Sequence, residues 1–416
     1  MIVLTEPYLY KGQTLISPCS SKHMLNIKNI GLRNVEIADT KLCLIDGENG
    51  RLLYRGYDIF DLAKNSTFEE TSYLLLYGDL PTKEQLEDFE GKLRKWRRLP
   101  DELIEAMRSR VKSAKPMDVL ISSVSMLADY DDMDESKTSN LERSIRLIAR
   151  LPTIVAAWDA IRNGRPIVEP DERLGHAANT LYMLLGKQQD SDIARMFDVC
   201  LVLHAEHSFN ASTFAARQVA STRAHMYACV CAAIAALSGD LHGGANVAVM
   251  NSLLEIGDES KVEDYIRSRL DANEKIMGLG HAVYKTDDPR AKILREMSKR
   301  LSIKYNNKWY ALTHRLEQVA KEEVKRRRGV DIYANVDLYS ASVYYSMGIP
   351  IDLYTCVFAI SRIAGWCAHI IEEKFYEAQP KPALYRPAAT YIGRYCGPLG
   401  CEYIPIQKRN DKVSVH

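Results

Sequence analysis

Residues 357–371 read VFAISRIAGWCAHII, apolar all round when wound as a helix, with Arg362 in the middle. A helix with no polar face belongs inside a large core. An unpaired guanidinium at such a place is costly, so Arg362 needs a carboxylate, either from the protein or from a bound anion. Residues 226–237 form a second all-apolar stretch. A chain of 416 residues, 46% hydrophobic and 26% charged, is long enough to bury both, in two or three domains or in one large core with a smaller lobe. The run 226–237 is too short to span a bilayer, which needs ~20 apolar residues. No basic segment followed by an apolar one opens MIVLTEPYLYKGQ, so no signal peptide is expected. Lys+Arg 55 against Asp+Glu 54 leaves +1, which disfavours nucleic-acid or membrane-surface binding. The nine cysteines include no C-x-x-C pair. Cys396 and Cys401 are expected as free thiols of a cytoplasmic protein.

Helical periodicity runs through residues 67–77, 104–113, 117–128 and 141–162, separated by Gly78-Asp79-Leu80-Pro81, Leu99-Pro100 and Asn163-Gly164-Arg165-Pro166. The clearest strand signal is a small hairpin, residues 42–45 and 52–54 around Asp46-Gly47-Glu48-Asn49-Gly50. No strand–helix alternation and no G-x-G-x-x-G points to a dinucleotide fold. The charged segment 252–328 suggests a separate small helical lobe. Its end, Lys325-Arg326-Arg327-Arg328-Gly329, suits a helix C-terminus. Residues 92–98 read as a similar solvated helix end.

Four groups of residues do not fit a simple core. His204 and His207 lie three apart, but the zincin pattern and a cysteine-rich partner set are absent, so no metal is expected. His242, in Leu241-His242-Gly243-Gly244, precedes an apolar helix at 247–256. Positive potential at a helix N-terminus favours its neutral imidazole, which can donate to an oxygen gaining negative charge. His281 stands in a second glycine-flanked loop that leads into Asp287-Asp288-Pro289-Arg290. Asp337 has apolar neighbours that make a carboxylate more basic. Arg362 either pairs with Asp337 or other protein groups, or receives an anion; spacing does not decide between these.

Taken together, IDGENGRLLYRGYDI, LHAEHSFNASTFAAR, DLHGGAN, IMGLGHAVYKTDDPRA, NVDLYSASVYYSMGIP, FAISRIAGWCAHIIE and LYRPAATYIG resemble the citrate synthase family, in its shorter archaeal and bacterial form. The resemblance implies an all-α fold with a minor N-terminal hairpin. It implies a large helical domain, 1–245 and 350–416, and a small one, 246–349, in a homodimer. It implies condensation of acetyl-CoA with oxaloacetate and water to citrate and CoA, with the CoA thioester as substrate and no cofactor. By motif, Asp337 is the base, His242 holds the thioester oxygen, and His281 protonates the oxaloacetate carbonyl. His207, Arg290, Arg362 and Arg386 match the holders of the oxaloacetate carboxylates, Arg386 reaching the partner subunit's site. The alternatives are a 2-methylcitrate synthase acting on propionyl-CoA and a family member that binds without turnover. Asp240 stands where the family usually has proline, and a carboxylate two residues before His242 would act to raise its pKa.

Overall fold

The computed structural model describes residues 31–32, 35–281, 283–396 and 398–409. Of the expected large domain, 1–30 and 410–416 lie outside them. The chain divides into Met1–Asp39 and Thr40–His416; the account below concerns the second unit. Its few strands form one antiparallel sheet, β1 (Cys43–Asp46), β2 (Arg51–Tyr54) and β3 (Tyr57–Asp58), with Cys43 opposite Tyr54 and Asp46 opposite Arg51. The expected hairpin is therefore present, with the turn at 47–50.

The remaining regular structure among the described residues is helical. First come α1 (Ile59–Asn65), α2 (Phe68–Tyr77), α3 (Lys83–Lys95), α4 (Asp101–Arg108), α5 (Pro116–Met126) and α6 (Lys137–Arg162). Thr82 and Gln85 form a reciprocal capping box at the start of α3, and the Asp58 side chain caps α1. Next come α7 (His176–Leu185), α8 (Ser191–His204), α9 (Ala211–Ser221) and α10 (Met226–Leu237). Then follow α11 (Ala245–Ile256), α12 (Val262–Asp271), α13 (Pro289–Lys304), α14 (Trp309–Arg328), α15 (Val336–Ser346) and α16 (Tyr354–Lys374). Gly329, at φ +67, closes α14 after its four basic residues, as the sequence suggests.

The segment Ile351–Lys374 has the length and hydropathy of a membrane span, but its apolar window is wholly buried in the fold. Helix α16 is the axis of the core, packed by α2, α6, α8, α9 and α10. Trp366, Ile363 and Ile370 are fully enclosed there. Burying each such side chain contributes roughly 1.5–3 kcal/mol, which offsets the cost of holding Arg362 away from water. Helices α11, α13, α14 and α15 pack on one another, and α12 on α14.

Two local expectations are corrected. Arg97 is buried rather than solvated, because its Nη1 donates to the Asp171 carbonyl at 2.8 Å. Cys396 and Cys401 are joined as a disulfide, with their Cα atoms 4.8 Å apart.

Candidate active site

Two short backbone segments position the catalytic candidates. Gly280 N donates to the Tyr333 carbonyl at 2.8 Å, and Asn335 N donates to the Gly278 carbonyl at 3.0 Å. This zipper sets His281 beside the start of α15, where Asn335 caps the Asp337 amide at 3.0 Å. Gly278 has φ +82, and a Cβ there would meet the Leu338 Cα at 3.0 Å and its Cδ1 at 2.9 Å. Only glycine fits that approach.

The hairpin supports the same site from the other side. Lys285 N donates to the Gly47 carbonyl at 2.9 Å, and a Cβ on Gly47 would sit 2.3 Å from the Val283 carbonyl oxygen. The buried Tyr54 hydroxyl donates to the Glu206 carbonyl at 2.8 Å, which anchors the turn carrying His207. A minor sheet thus clamps two histidine loops.

Each candidate imidazole is fixed as a neutral donor. Val283 N and Tyr284 N donate to His281 Nδ1 at 3.0 and 3.2 Å. The neutral ring therefore carries its proton on Nε2. Ser212 N donates to His242 Nε2 at 3.3 Å, and the Ser212 hydroxyl lies 2.8 Å from the same nitrogen. His242 accordingly carries its proton on Nδ1. Trp366 Nε1 donates to the Ser212 hydroxyl at 3.1 Å, tying the arrangement to the core.

Burial, reinforced by Arg362, pushes His242 down to about 4. Burial and Arg290 do the same for His281, also to about 4. Asp240, expected to push upward, is not among the charges that shift His242, and both rings are neutral at pH 7. His207 is depressed still more clearly by burial, Arg290 and His281. Its ring centroid lies 5.4 Å from that of His281, and its Nε2 is 3.2 Å from the Tyr284 hydroxyl.

Asp337 is the one carboxylate here that no hydrogen-bond donor reaches among the described residues. Burial raises it to about 6, against the pull of Arg290 and Arg362. An unpartnered carboxylate with that pKa can accept a proton near neutrality.

Two buried arginines complete the cluster. Arg290, at the start of α13, sends Nε and Nη2 to the Asp288 carboxylate at 3.0 and 2.7 Å. Burial opposes its charge, but Asp288 more than compensates. Arg362 donates from Nε to the His204 carbonyl at 2.6 Å and lies 4.7 Å over the Phe358 ring. Phe358 also contacts His242, with centroids 6.3 Å apart. Burial pulls Arg362 down to about 10, and Glu206 is the foremost charge supporting it. Among the described residues no hydrogen-bond partner takes its two terminal nitrogens.

His207, His281, Asp337, Arg290, Arg362 and His242 are thus linked by ring contacts or by mutual electrostatic influence. Arg386 is exposed and is not tied to the cluster within the chain. His204 turns back to the Cys200 carbonyl at 2.8 Å instead of sharing a ligand with His207. Among the described residues no group of three or more His, Cys, Asp or Glu is arranged to hold a metal ion. Sequence reasoning missed Ser212, Phe358, Glu206 and Asp288. Only Asp288 had a local signal, the acidic residue before Pro289-Arg290.

The family model described as "Citrate synthase, C-terminal domain" matches residues 31–388. The chain belongs to the citrate synthase family. A citrate synthase of Haloferax volcanii is 42% identical, over 91% of this chain and 98% of its own. A 2-methylcitrate synthase of Shewanella oneidensis is 38% identical, over 87% and 94%. Among solved structures, citrate synthase from Pyrobaculum aerophilum superposes with TM-score 0.84 at 39% identity, covering 98% of this chain and 100% of its own. The same score, at 32% identity and 91% and 99% coverage, joins it to the Thermoplasma acidophilum enzyme in ternary complex with carboxymethyl coenzyme A and oxaloacetate. Fold class and family thus agree with the reading of the motifs.

Proposed function

We propose that the chain condenses acetyl-CoA with oxaloacetate and water to give citrate and CoA. The observation that carries this reading is one unpartnered, basic carboxylate and two neutral imidazoles, each left with a single N–H, all under the influence of the buried guanidinium groups of Arg290 and Arg362.

Asp337 takes a proton from the acetyl methyl carbon. The α-proton of a thioester is weakly acidic, so the oxyanion must be stabilised as it forms; His242 donates its Nδ1–H to the thioester oxygen. The enolic carbon then attacks the oxaloacetate carbonyl carbon. His281 delivers its Nε2 proton to the carbonyl oxygen, which becomes the citrate hydroxyl. Water cleaves the resulting thioester and releases CoA. Arg290 and Arg362, with His207, hold the oxaloacetate carboxylates, for which the planar guanidinium is suited. These groups move the protons themselves, and CoA enters as substrate rather than as resident cofactor.

The fuller picture is a cytoplasmic homodimer in which Arg386 completes the partner's site. Residues 246–349 form a lobe that closes over the substrates and excludes water while the enol forms. The glycine zipper supports this, because it makes His281 and Asp337 travel together. A 2-methylcitrate synthase is the second reading, supported by the Shewanella relative. One methylene in an apolar pocket is worth only ~1–3 kcal/mol. Parallel kcat/KM values for acetyl-CoA and propionyl-CoA, with thiol release followed by a reactive dye, test both. Oxaloacetate-dependent release favouring acetyl-CoA is expected. A preference for propionyl-CoA transfers the assignment to the second reading, and no oxaloacetate-dependent release removes both.

A further inference from the structure

Away from this cluster, α1, α8 and α13 enclose a cavity of about 530 Å³. That lies within the ~300–1,000 Å³ typical of small-molecule sites. Its walls are Ala63, Met196, Val199, Ile293 and Met297, with Phe60 at the exposed mouth. Two methionines let the wall adapt to a flexible aliphatic chain. Charged groups also line the cavity, and they are not equivalent. Asp192 is taken by Lys304 at 2.9 Å, while Arg195 is committed to Asp198 and to the Ala63 carbonyl at 2.8 Å. Lys64, Arg300 and Glu296 also line it and have no ion-pair partner among the described residues. Two free cations against one free carboxylate favour a single negative head group, and Glu296 discourages a second.

We propose that this cavity binds a medium-length aliphatic carboxylate, its chain among the methionines and its head group against Lys64 and Arg300. The site is connected to the cluster by covalent structure. Helix α8 runs from the cavity wall to His204, just before His207. Helix α13 begins at Pro289–Arg290 and passes the cavity at Met297 and Arg300. The cavity is open in the arrangement in which His207, His281 and Tyr284 touch. The proposal extends to coupling: a ligand that favours the arrangement in which oxaloacetate is held raises oxaloacetate affinity, and by linkage oxaloacetate tightens its binding by the same factor. This coupling rests on the oxaloacetate reading above; occupancy of the cavity does not.

The test is calorimetric titration of the full chain with dodecanoate and with dodecanol, followed by oxaloacetate titration with and without dodecanoate. Arg300→Glu removes the head-group contact at an exposed position, and Ile293→Trp fills the chain site. Saturable dodecanoate binding, at least tenfold weaker in each variant and for dodecanol, is expected, with oxaloacetate affinity raised about fivefold in the wild type alone. Absence of binding or equal binding in the variants overturns the proposal, and binding without any change in oxaloacetate affinity overturns its coupling to the oxaloacetate site. Failure of the oxaloacetate reading shows separately, as no oxaloacetate binding in the absence of dodecanoate.

Discussion

Arg290 and Arg362 are both buried guanidinium groups of the same cluster, yet the chain treats them differently. Around Arg290 a carboxylate two residues earlier forms a two-pronged bond, so the charge is balanced locally. Around Arg362 its own helix supplies the Phe358 face, while the end of α8 supplies the His204 carbonyl and the turn after it the more distant Glu206. One region is neutralised before any substrate arrives, and the other keeps donors in reserve. The difference indicates which arginine depends on its ligand. Arg290 is set in place by the fold, whereas Arg362 has its terminal nitrogens available to an anion.

The strongest way to break that contrast is Arg362→Ala. Truncating one partner of a buried charged pair costs ~2–5 kcal/mol, so the oxaloacetate KM should rise by roughly 1.5 to 3.5 orders of magnitude. Initial rates at varied oxaloacetate would check it; an unchanged KM would mean Arg362 is neutralised inside the fold. Asp288→Asn attacks the other side of the comparison. It leaves the Arg290 charge buried with a weaker partner, and a loss of about 3 kcal/mol in unfolding stability is expected by denaturant titration. A smaller loss than for Glu206→Gln would reverse the assignment of the locally balanced arginine.

The pH profile sharpens the comparison at Asp337, which both arginines influence. Its pKa rises from an ordinary 3.8 to about 6 on folding. The protonated carboxyl is thus favoured by folding, and that stabilisation, complete below the unfolded value, is lost as pH rises through about 6. The base, in contrast, works only when ionised. The acid limb of kcat/KM is therefore expected near pH 6, falling about tenfold per unit below it. Removing the nearby guanidinium in Arg362→Ala should move that limb upward, and a downward move would place the arginine elsewhere. The smallest effect is expected from Asp240→Pro. Burial and Arg362, rather than Asp240, dominate His242, so kcat should stay within about twofold, measured at pH 7.

Much of this was legible in the chain because the chemistry sits at punctuation marks. Glycine-flanked His242 and His281, Asp337 among apolar neighbours, and an arginine inside an apolar run are all local patterns. The helical core followed from three-and-four periodicity, and the hairpin from its turn residues. What could not be read depends on distant partners. Glu206 supports Arg362 across 156 positions of sequence, the difference between the two residue numbers. Gly47 abuts Val283 through a contact that turn chemistry alone does not announce. Arg97 looked like a solvated helix end until Asp171 supplied a carbonyl. The Cys396–Cys401 bond depends on how a tail folds back, which a spacing of five does not determine.

The two backbone amides that end on His281 Nδ1 have a further consequence for the proposed cycle. They deny the ring a second exit, so it cannot pass a proton through from one nitrogen to the other. Having given up Nε2–H, it must be recharged on the side from which it discharged, where the newly formed alcohol then lies. Recovery of the acid is thereby tied to departure of the product, and the ring behaves as a one-port reservoir rather than a conduit.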